Sequence, residues 1–341
     1  MQRGSKNPLM LSVLGRCKIE VFWQKKTIPI LKTIILNSIG NTFRLTTFGE
    51  SHGPAVGGVL DGCPAGKVLD FAFIQQELLR RRDGDVPSPL TTARHEADQI
   101  EWLSGLYQGR TLGTPIAFFV RNQDCRPADY GQLQDCYRPG HADYTYQQKY
   151  GHRDPRGGGR ASGRETVARV IAGAIAKQLL LTQGISFSTT IRGRQIACTI
   201  LGLPAGVGDP VFDRLNARLG FAMLSIPSAM AFAVGDPNDS YQLSPDQFPD
   251  AWQPQGTADR LTLTNHCGGI QGGISNGMPV VFHVGFHAPV THPEGMTCRR
   301  ADGSLVSVAP HGRHDRDHIT RLPVIVEAMA ALTVADLIAL T

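Results

Sequence analysis

The stretch GGGRASGRETVARVIAGAIAKQL, residues 157–179, carries the reading of the fold. Ser162 followed three positions on by Glu165 has the form of a capping box, and Val167, Val170, Ile171, Ala174, Ile175 and Leu179 recur behind it at helical spacing. The spacing predicts a helix from Ser162 with Gly184 as its stop. Ala168, Ala172, Gly173, Ala174 and Ala176 leave this helix slim enough to lie close against a neighbouring helix or sheet. Ahead of it, Gly157 to Gly159 read as a loop leading to the helix N-terminus, whose free N–H groups and positive dipole end suit a phosphate. The Gly-Lys-Ser/Thr ending of a Walker A loop is absent.

Working outward, Pro323 suits the first turn of a second small-residue helix through Ala328, Ala331 and Leu332. Asp70 can cap a third through Phe71, Ile74 and Leu78, ending in Arg80, Arg81 and Arg82, one of which is expected to serve structure alone. Phe43 to Thr47 reads as a strand running into a Gly49–Gly53 loop, and Val280–Phe286 and Leu261–Thr264 read as further strands. Helices packed on sheets without regular alternation give the class α+β. Residues 37–341 read as one continuous domain. Residues 1–36 read as a basic extension, either disordered or upstream of the true start.

Charge follows that division. The chain of 341 residues carries +5, but residues 1–36 alone hold seven basic residues and one acid, so the remainder is close to neutral. No general positive field is left to attract a nucleic acid duplex. Beyond residue 36 the basic residues are 24 Arg and three Lys, a composition suited to bidentate recognition of carboxylates and phosphates, or one set by codon bias. Seven cysteines with no C-x-x-C pair fit a reducing, cytoplasmic setting. No run of about 18 apolar residues is present to span a membrane.

Three glycine-framed loops place His, Arg and Ser together: Gly49 to Gly53 with Ser51 and His52, Arg138 to Asp143 with His141, and Gly157 to Glu165 with Arg160 and Arg164. Arginines holding an anionic ligand, with histidines moving protons near neutrality, account for that combination. The stretch Gly268–Gly277 is as rich in glycine, yet lacks the strand–G-x-G-x-x-G–helix order of a Rossmann site and suits instead the approach of backbone to a flat ring. His311, His314 and His318 with Asp315 and Asp317 are close together, but their spacing fits no zinc pattern, and Arg313 and Arg316 between them would repel a cation.

These segments, with Gly40 to Phe43, RPGHADYTYQQKYG at 138–151, Asn265–Gly277 and Gly312 to Asp315, resemble the chorismate synthase family in order and across nearly all of the chain beyond residue 39. The resemblance implies a β-α-β sandwich with helices between antiparallel sheets, a cytoplasmic homotetramer, and reduced FMN as cofactor. NADPH or a separate flavin reductase would keep the flavin reduced. The implied reaction is the anti-1,4 elimination of phosphate from 5-enolpyruvylshikimate 3-phosphate, giving chorismate without net redox change. By the same resemblance Ser51, Arg81, Arg138, Arg164 and Arg313 would hold substrate, and His52, His141 and Asp315 would handle protons. Arg160, Ala161, Ser162, Pro227, Ser228, Gly272, the segment His287, Ala288, Pro289, Val290 and Thr291, and Arg313 would meet flavin.

The chain departs from the family in four places. Some tens of residues usual between Arg192 and Cys198 are absent, which is expected to leave sheet edges unpaired or the flavin pocket open. A loop arginine usual after Arg82 is replaced in the region of Pro87, Ser88 and Pro89, with Arg94 as its candidate substitute. Met230 and His287 stand at two positions where lysine is usual. An alternative reading is therefore a truncated, inactive paralogue that keeps the fold and binds flavin or partners.

Overall fold

The helix read from Ser162 begins four residues later. In the computed structural model, which describes residues 37–85, 98–123, 133–236, 240–254, 261–290, 295–308 and 317–338, Ser162 caps a single 3-10 turn, Gly163–Glu165, before the α-helix starts at Thr166. The capping box does not close. The Glu165 carboxylate instead accepts from Thr47 Oγ1 at 2.7 Å and from Arg169 Nε, one turn on in the helix, at 2.7 Å, so one tertiary and one local side chain outcompete the backbone N–H.

The first half of the chain runs β1 (Ser38–Ile39), β2 (Arg44–Gly49), β3 (Ala55–Asp61), α1 (Phe71–Asp83), β4 (Ile100–Trp102), β5 (Leu106–Tyr107), β6 (Arg110–Thr111), β7 (Ile116–Arg121), β8 (Cys136–Tyr137), α2 (Asp143–Tyr150) and α3 (Thr166–Leu181). There follow β9 (Ser186–Arg192), β10 (Gln195–Leu201), α4 (Leu215–Leu224), β11 (Ala229–Val234), β12 (Ile270–Gln271), β13 (Ile274–Ser275), β14 (Val280–Phe286), β15 (Met296–Arg300), β16 (Leu305–Val308) and α5 (Leu322–Leu337). One antiparallel sheet has the order β1-β2-β3-β7-β4 and the other β11-β14-β10-β9. Helix α3 packs on β2, β3 and β7 of the first sheet, α5 packs on β9 and β10 of the second, and α3 and α5 pack on each other. This is the β-α-β sandwich that the resemblance implied.

A helix between two sheets has no solvent face, so it must be apolar on every side. Helix α5 meets that demand: every residue from Leu322 to Ala335 is buried. Its ionisable residue in that span, Glu327, accepts from Lys177 of α3, from Arg80 of α1 at 2.8 Å and from Thr189 of β9 at 2.6 Å. Lys177 also donates to Glu77, and Arg80 donates to Glu77 at 2.7 Å and to Asp85 at 2.7 Å. Arg80 is thus the structural member of the Arg80–Arg82 run. The Asp70 cap forms as read, accepting from Phe73 N at 3.0 Å.

The close α3–α5 contact depends on Gly173, where a Cβ would stand 2.4 Å from Ala328 Cβ. Gly173→Ala should therefore destabilise the fold by about 1–3 kcal/mol through overpacking, although alanine is the better helix former. Urea unfolding checks this, and an unchanged midpoint would overturn the tight-crossing argument.

One strand expectation needs correction. Leu261–Thr264 is not a strand; it contributes one isolated bridge, Thr262 to Trp252, because the segment turns to deliver N–H and hydroxyl groups to Asp250. At Arg192 the chain turns directly back into β10. Gly193 and Arg194 form a two-residue turn, with Gly193 at φ 60°, and each residue from Ser186 to Arg192 pairs with β10. Glycine first is what a tight type II′ hairpin turn favours. Strand β9 then forms one edge of its sheet. No described helix is long and apolar enough to cross a membrane.

Candidate active site

The loop after β2 is short and glycine-ended because Gly49, at φ 91°, must turn the chain where a Cβ would meet the Ala55 carbonyl at 2.1 Å. Ser51 is buried in this loop, and its Oγ lies 3.0 Å from His52 Nδ1. The imidazole rests against Gly157, where a Cβ would come within 2.3 Å of Nδ1, and Ser51 N donates to Gly159 O at 3.3 Å. Two of the three loops recognised in the sequence are therefore in contact. Gly157→Ala should displace the ring and, at φ 64°, strain the backbone by about 1–2 kcal/mol. Turnover of the folded variant is expected to fall about tenfold, with the unfolding midpoint lowered only by that strain; equal rates would show that the ring position does not matter.

The third loop joins them through Arg138. Its guanidinium is buried, donates twice to Asp143 at 2.8 and 2.9 Å, and reaches Gly157 O at 2.7 Å. Burial opposes ionisation of Asp143, but the Arg138 hydrogen bonds and charge, with Arg153 nearby, outweigh it and hold the carboxyl below the usual carboxylate range. Asp143 thus fixes the plane of Arg138. His141 stands in the following turn, its N–H directed to Arg138 O at 3.4 Å. Gly140 in that turn faces Val290, so the segment after β14 packs against the same loop.

Beside these loops lies a cluster of positive charge. Asp98 binds the buried Arg164 through Nη1 and receives Arg81 Nη2 at 3.4 Å. Arg81 also donates to Gly163 O and Thr166 Oγ1, both at 3.3 Å, while its buried Nε has no hydrogen-bond partner. Burial, then the charges of Arg164 and Arg321 acting against Asp98, pushes the Arg81 guanidinium down to about 10. It remains a cation at neutral pH. Two guanidinium groups, those of Arg81 and Arg164, thus share the single carboxylate of Asp98, an arrangement suited to a polyanion. Asn122 connects this cluster to the first loop, accepting from Arg164 Nε at 2.8 Å and donating to Gly53 O at 2.8 Å.

The remaining flavin-side candidates fall into groups. Arg160 is anchored on β2, donating to Thr47 Oγ1 at 2.7 Å and to the carbonyls of Thr47 and Gly49 at 3.2 and 3.3 Å. Ala161 lies in the 3-10 turn Gly159–Ala161, and Ser162 Oγ accepts from Arg164 N at 3.3 Å. Pro227 leads into Ser228, held at φ 69°, whose Oγ is 2.9 Å from His318 Nε2 and whose carbonyl accepts from His287 N at 3.0 Å. His287 Nδ1 lies 2.6 Å from the Ala288 carbonyl; Pro289 and Val290 follow. Gly272 is separated from this group. Its β12–β13 hairpin meets the first residue of α4 through Gly273 O and Leu215 N, whereas Pro227 follows the last turn, and a ten-residue helix is about 15 Å long. Met230 is the extra residue of a bulge in β11 and is 70% exposed. Asp315, Arg313, Thr291, Arg94, His311, His314 and the Pro87–Pro89 stretch lie outside the described residues.

Sequence reasoning missed Asp98, Asn122 and Arg321. Their partners are 17 to 66 positions away for Asp98 and 42 to 72 for Asn122, so no local spacing marks them.

Comparison with known proteins places these residues in context. Residues 43–194 and 191–339 match the family model for chorismate synthase, the two stretches overlapping at the β9–β10 turn. A chorismate synthase of Azobacteroides pseudotrichonymphae is 41% identical over 350 aligned residues, covering 88% of this chain and 98% of that protein. One from Bacteroides thetaiotaomicron is 42% identical, covering 89% and 97%. A solved crystal structure of a chorismate synthase superposes with a TM-score of 0.64 at 25% identity, covering 88% of this chain and 92% of the other.

Proposed function

The chain belongs to the chorismate synthase family, and from that premise we propose that it eliminates phosphate from 5-enolpyruvylshikimate 3-phosphate to give chorismate. The observation that carries the reading is the pair of guanidinium groups, Arg81 and Arg164, on the one carboxylate of Asp98, tied through Asn122 to the loop that bears His52. A substrate with two carboxylates and a phosphate needs such a surplus of guanidinium groups.

In this reading Arg81, Arg138 and Arg164 orient the substrate, with Ser51 at the loop and Arg313 as the further arginine of the set. Their forks are prepared in advance: Asp143 sets Arg138, and Asp98 with Asn122 sets Arg164, so little reorganisation is left for the moment of reaction. His52 and His141 supply protons, one to the departing phosphate, and Asp315 assists removal of the substrate proton. Neutralising the leaving phosphate and holding the ring still are the two contributions these side chains make.

The described residues fit a flat cofactor in part. A Cβ at Gly159 or Gly163, which bracket Arg160, Ala161 and Ser162, meets nothing within 4 Å, leaving open backbone against which a ring can lie. Pro227, Ser228 and the His287–Val290 segment would complete the site, joined to the His141 turn by Val290. Gly272 lies on the hairpin at the opposite end of α4 from Pro227. Reduced FMN, when bound, would supply electron density transiently to the substrate as phosphate leaves. The same reading takes the working form as a cytoplasmic homotetramer whose flavin is reduced by NADPH or by a separate reductase.

The test is an anaerobic assay with chemically reduced FMN and 5-enolpyruvylshikimate 3-phosphate, following chorismate absorbance and phosphate release together. Equal appearance of both is expected. A folded protein that binds flavin and substrate without turnover would replace this reading with that of an inactive paralogue.

A further inference from the structure

Asn122 is the first residue after β7, and its backbone N–H and both ends of its side-chain amide are committed. Its N–H donates to Pro54 O at 3.0 Å, and Nδ2 donates to Glu50 O at 3.0 Å and Gly53 O at 2.8 Å. Its Oδ1 accepts from Arg164 Nε at 2.8 Å. The partners fix the amide orientation, because the flipped form would set an oxygen against two carbonyls and an NH₂ against an N–H donor. The other Arg164 donors go to Asp98 and to the Arg121 carbonyl, neither of which belongs to the His52 loop. Resting on the reading of the site given above, we propose that Asn122 is a positioning residue: its single amide sets the spacing between the His52 loop and the Arg164 guanidinium. A proton-transfer group and an anion-binding group are thereby registered to each other before substrate arrives. One planar amide suits this task, since two donors face one way and the acceptor the other.

Two substitutions separate the halves of the clamp. Asn122→Leu keeps the size and removes both. Asn122→Asp keeps an acceptor for Arg164 but sets carboxylate oxygen against the carbonyls of Glu50 and Gly53. In the full chain with reduced FMN, Asn122→Leu is expected to raise the KM for 5-enolpyruvylshikimate 3-phosphate about tenfold and lower kcat about tenfold. In an Arg164→Ala background the KM effect should shrink below about twofold, and in a His52→Ala background the kcat effect should do the same, because each acts through the residue already removed. A merely structural residue would lower the unfolding midpoint and leave KM and kcat effects fully additive, which would overturn the proposal. Hydrogen exchange needs no turnover: Asn122→Asp should speed exchange of the 50–53 amides about tenfold. Unchanged exchange would overturn the clamp as well. If the wild-type chain folds but does not turn over, the functional reading fails, while the exchange result still decides whether Asn122 holds the loop.

Discussion

Replacing His52 with alanine should lower turnover by about 10²–10⁴-fold while leaving the fold intact. The loop that carries His52 is held by the Asn122 amide, by Ser51 N on Gly159 O and by Gly53 N on Glu50 O, and none of these bonds uses the imidazole. Truncation therefore removes the proton-carrying group without unfastening its support. Ser51 Oγ loses its partner at 3.0 Å, a small cost beside the loss of a positioned acid. His141→Ala should act in the same direction, because its turn is also held by Arg138, Asp143 and Val290. Initial rates at saturating reduced FMN, with flavin affinity and unfolding midpoint as controls, check both. Wild-type rates in either variant would remove that histidine from the mechanism.

Lys177→Met should destabilise the protein by about 3–5 kcal/mol at neutral pH, well beyond the backbone strain expected of Gly157→Ala. Lys177 lies between the Glu77 and Glu327 carboxylates inside the helical layer, so its removal leaves two buried carboxylates sharing the charge of Arg80, which also pairs with Asp85. The effect depends on pH in a determined direction. Burial alone would raise the Glu327 carboxyl, but Arg80 and Lys177 together hold it at about 2, against an ordinary value of 4.5. A carboxyl depressed in the folded state stabilises above its unfolded value, and that contribution is lost as pH falls from about 4.5 towards about 2. The gap between wild type and Lys177→Met in urea should therefore be widest near pH 7 and narrow at about pH 3. Adding Glu327→Gln to Lys177→Met should recover part of the loss, since it removes one of the stranded charges. An equal gap at both pH values would show that Lys177 contributes by packing alone.

Local chemistry made much of this molecule legible in its sequence. Asp70 caps α1, Pro323 opens α5, and the small apolar residues of α3 mark a helix that must lie close to another, because caps and periodicity act within one or two turns of chain. The three glycine-framed loops were visible for the same reason, and their order identified the family. Which residues meet across the chain was decided by the tertiary structure alone. Glu165 has the spacing of a capping box, yet packing brings Thr47 to its carboxylate and the helix starts later. Arg80, Arg81 and Arg82 are equivalent in sequence, but the helix turns Arg80 into a buried ion network and Arg81 towards Asp98, as residues adjacent on a helix must point in different directions. Asn122 and Asp98 lie outside every motif. They join the site because the sheet containing β7 and β4 is laid against α3, an arrangement set by burial of its apolar face rather than by any local pattern around those two residues.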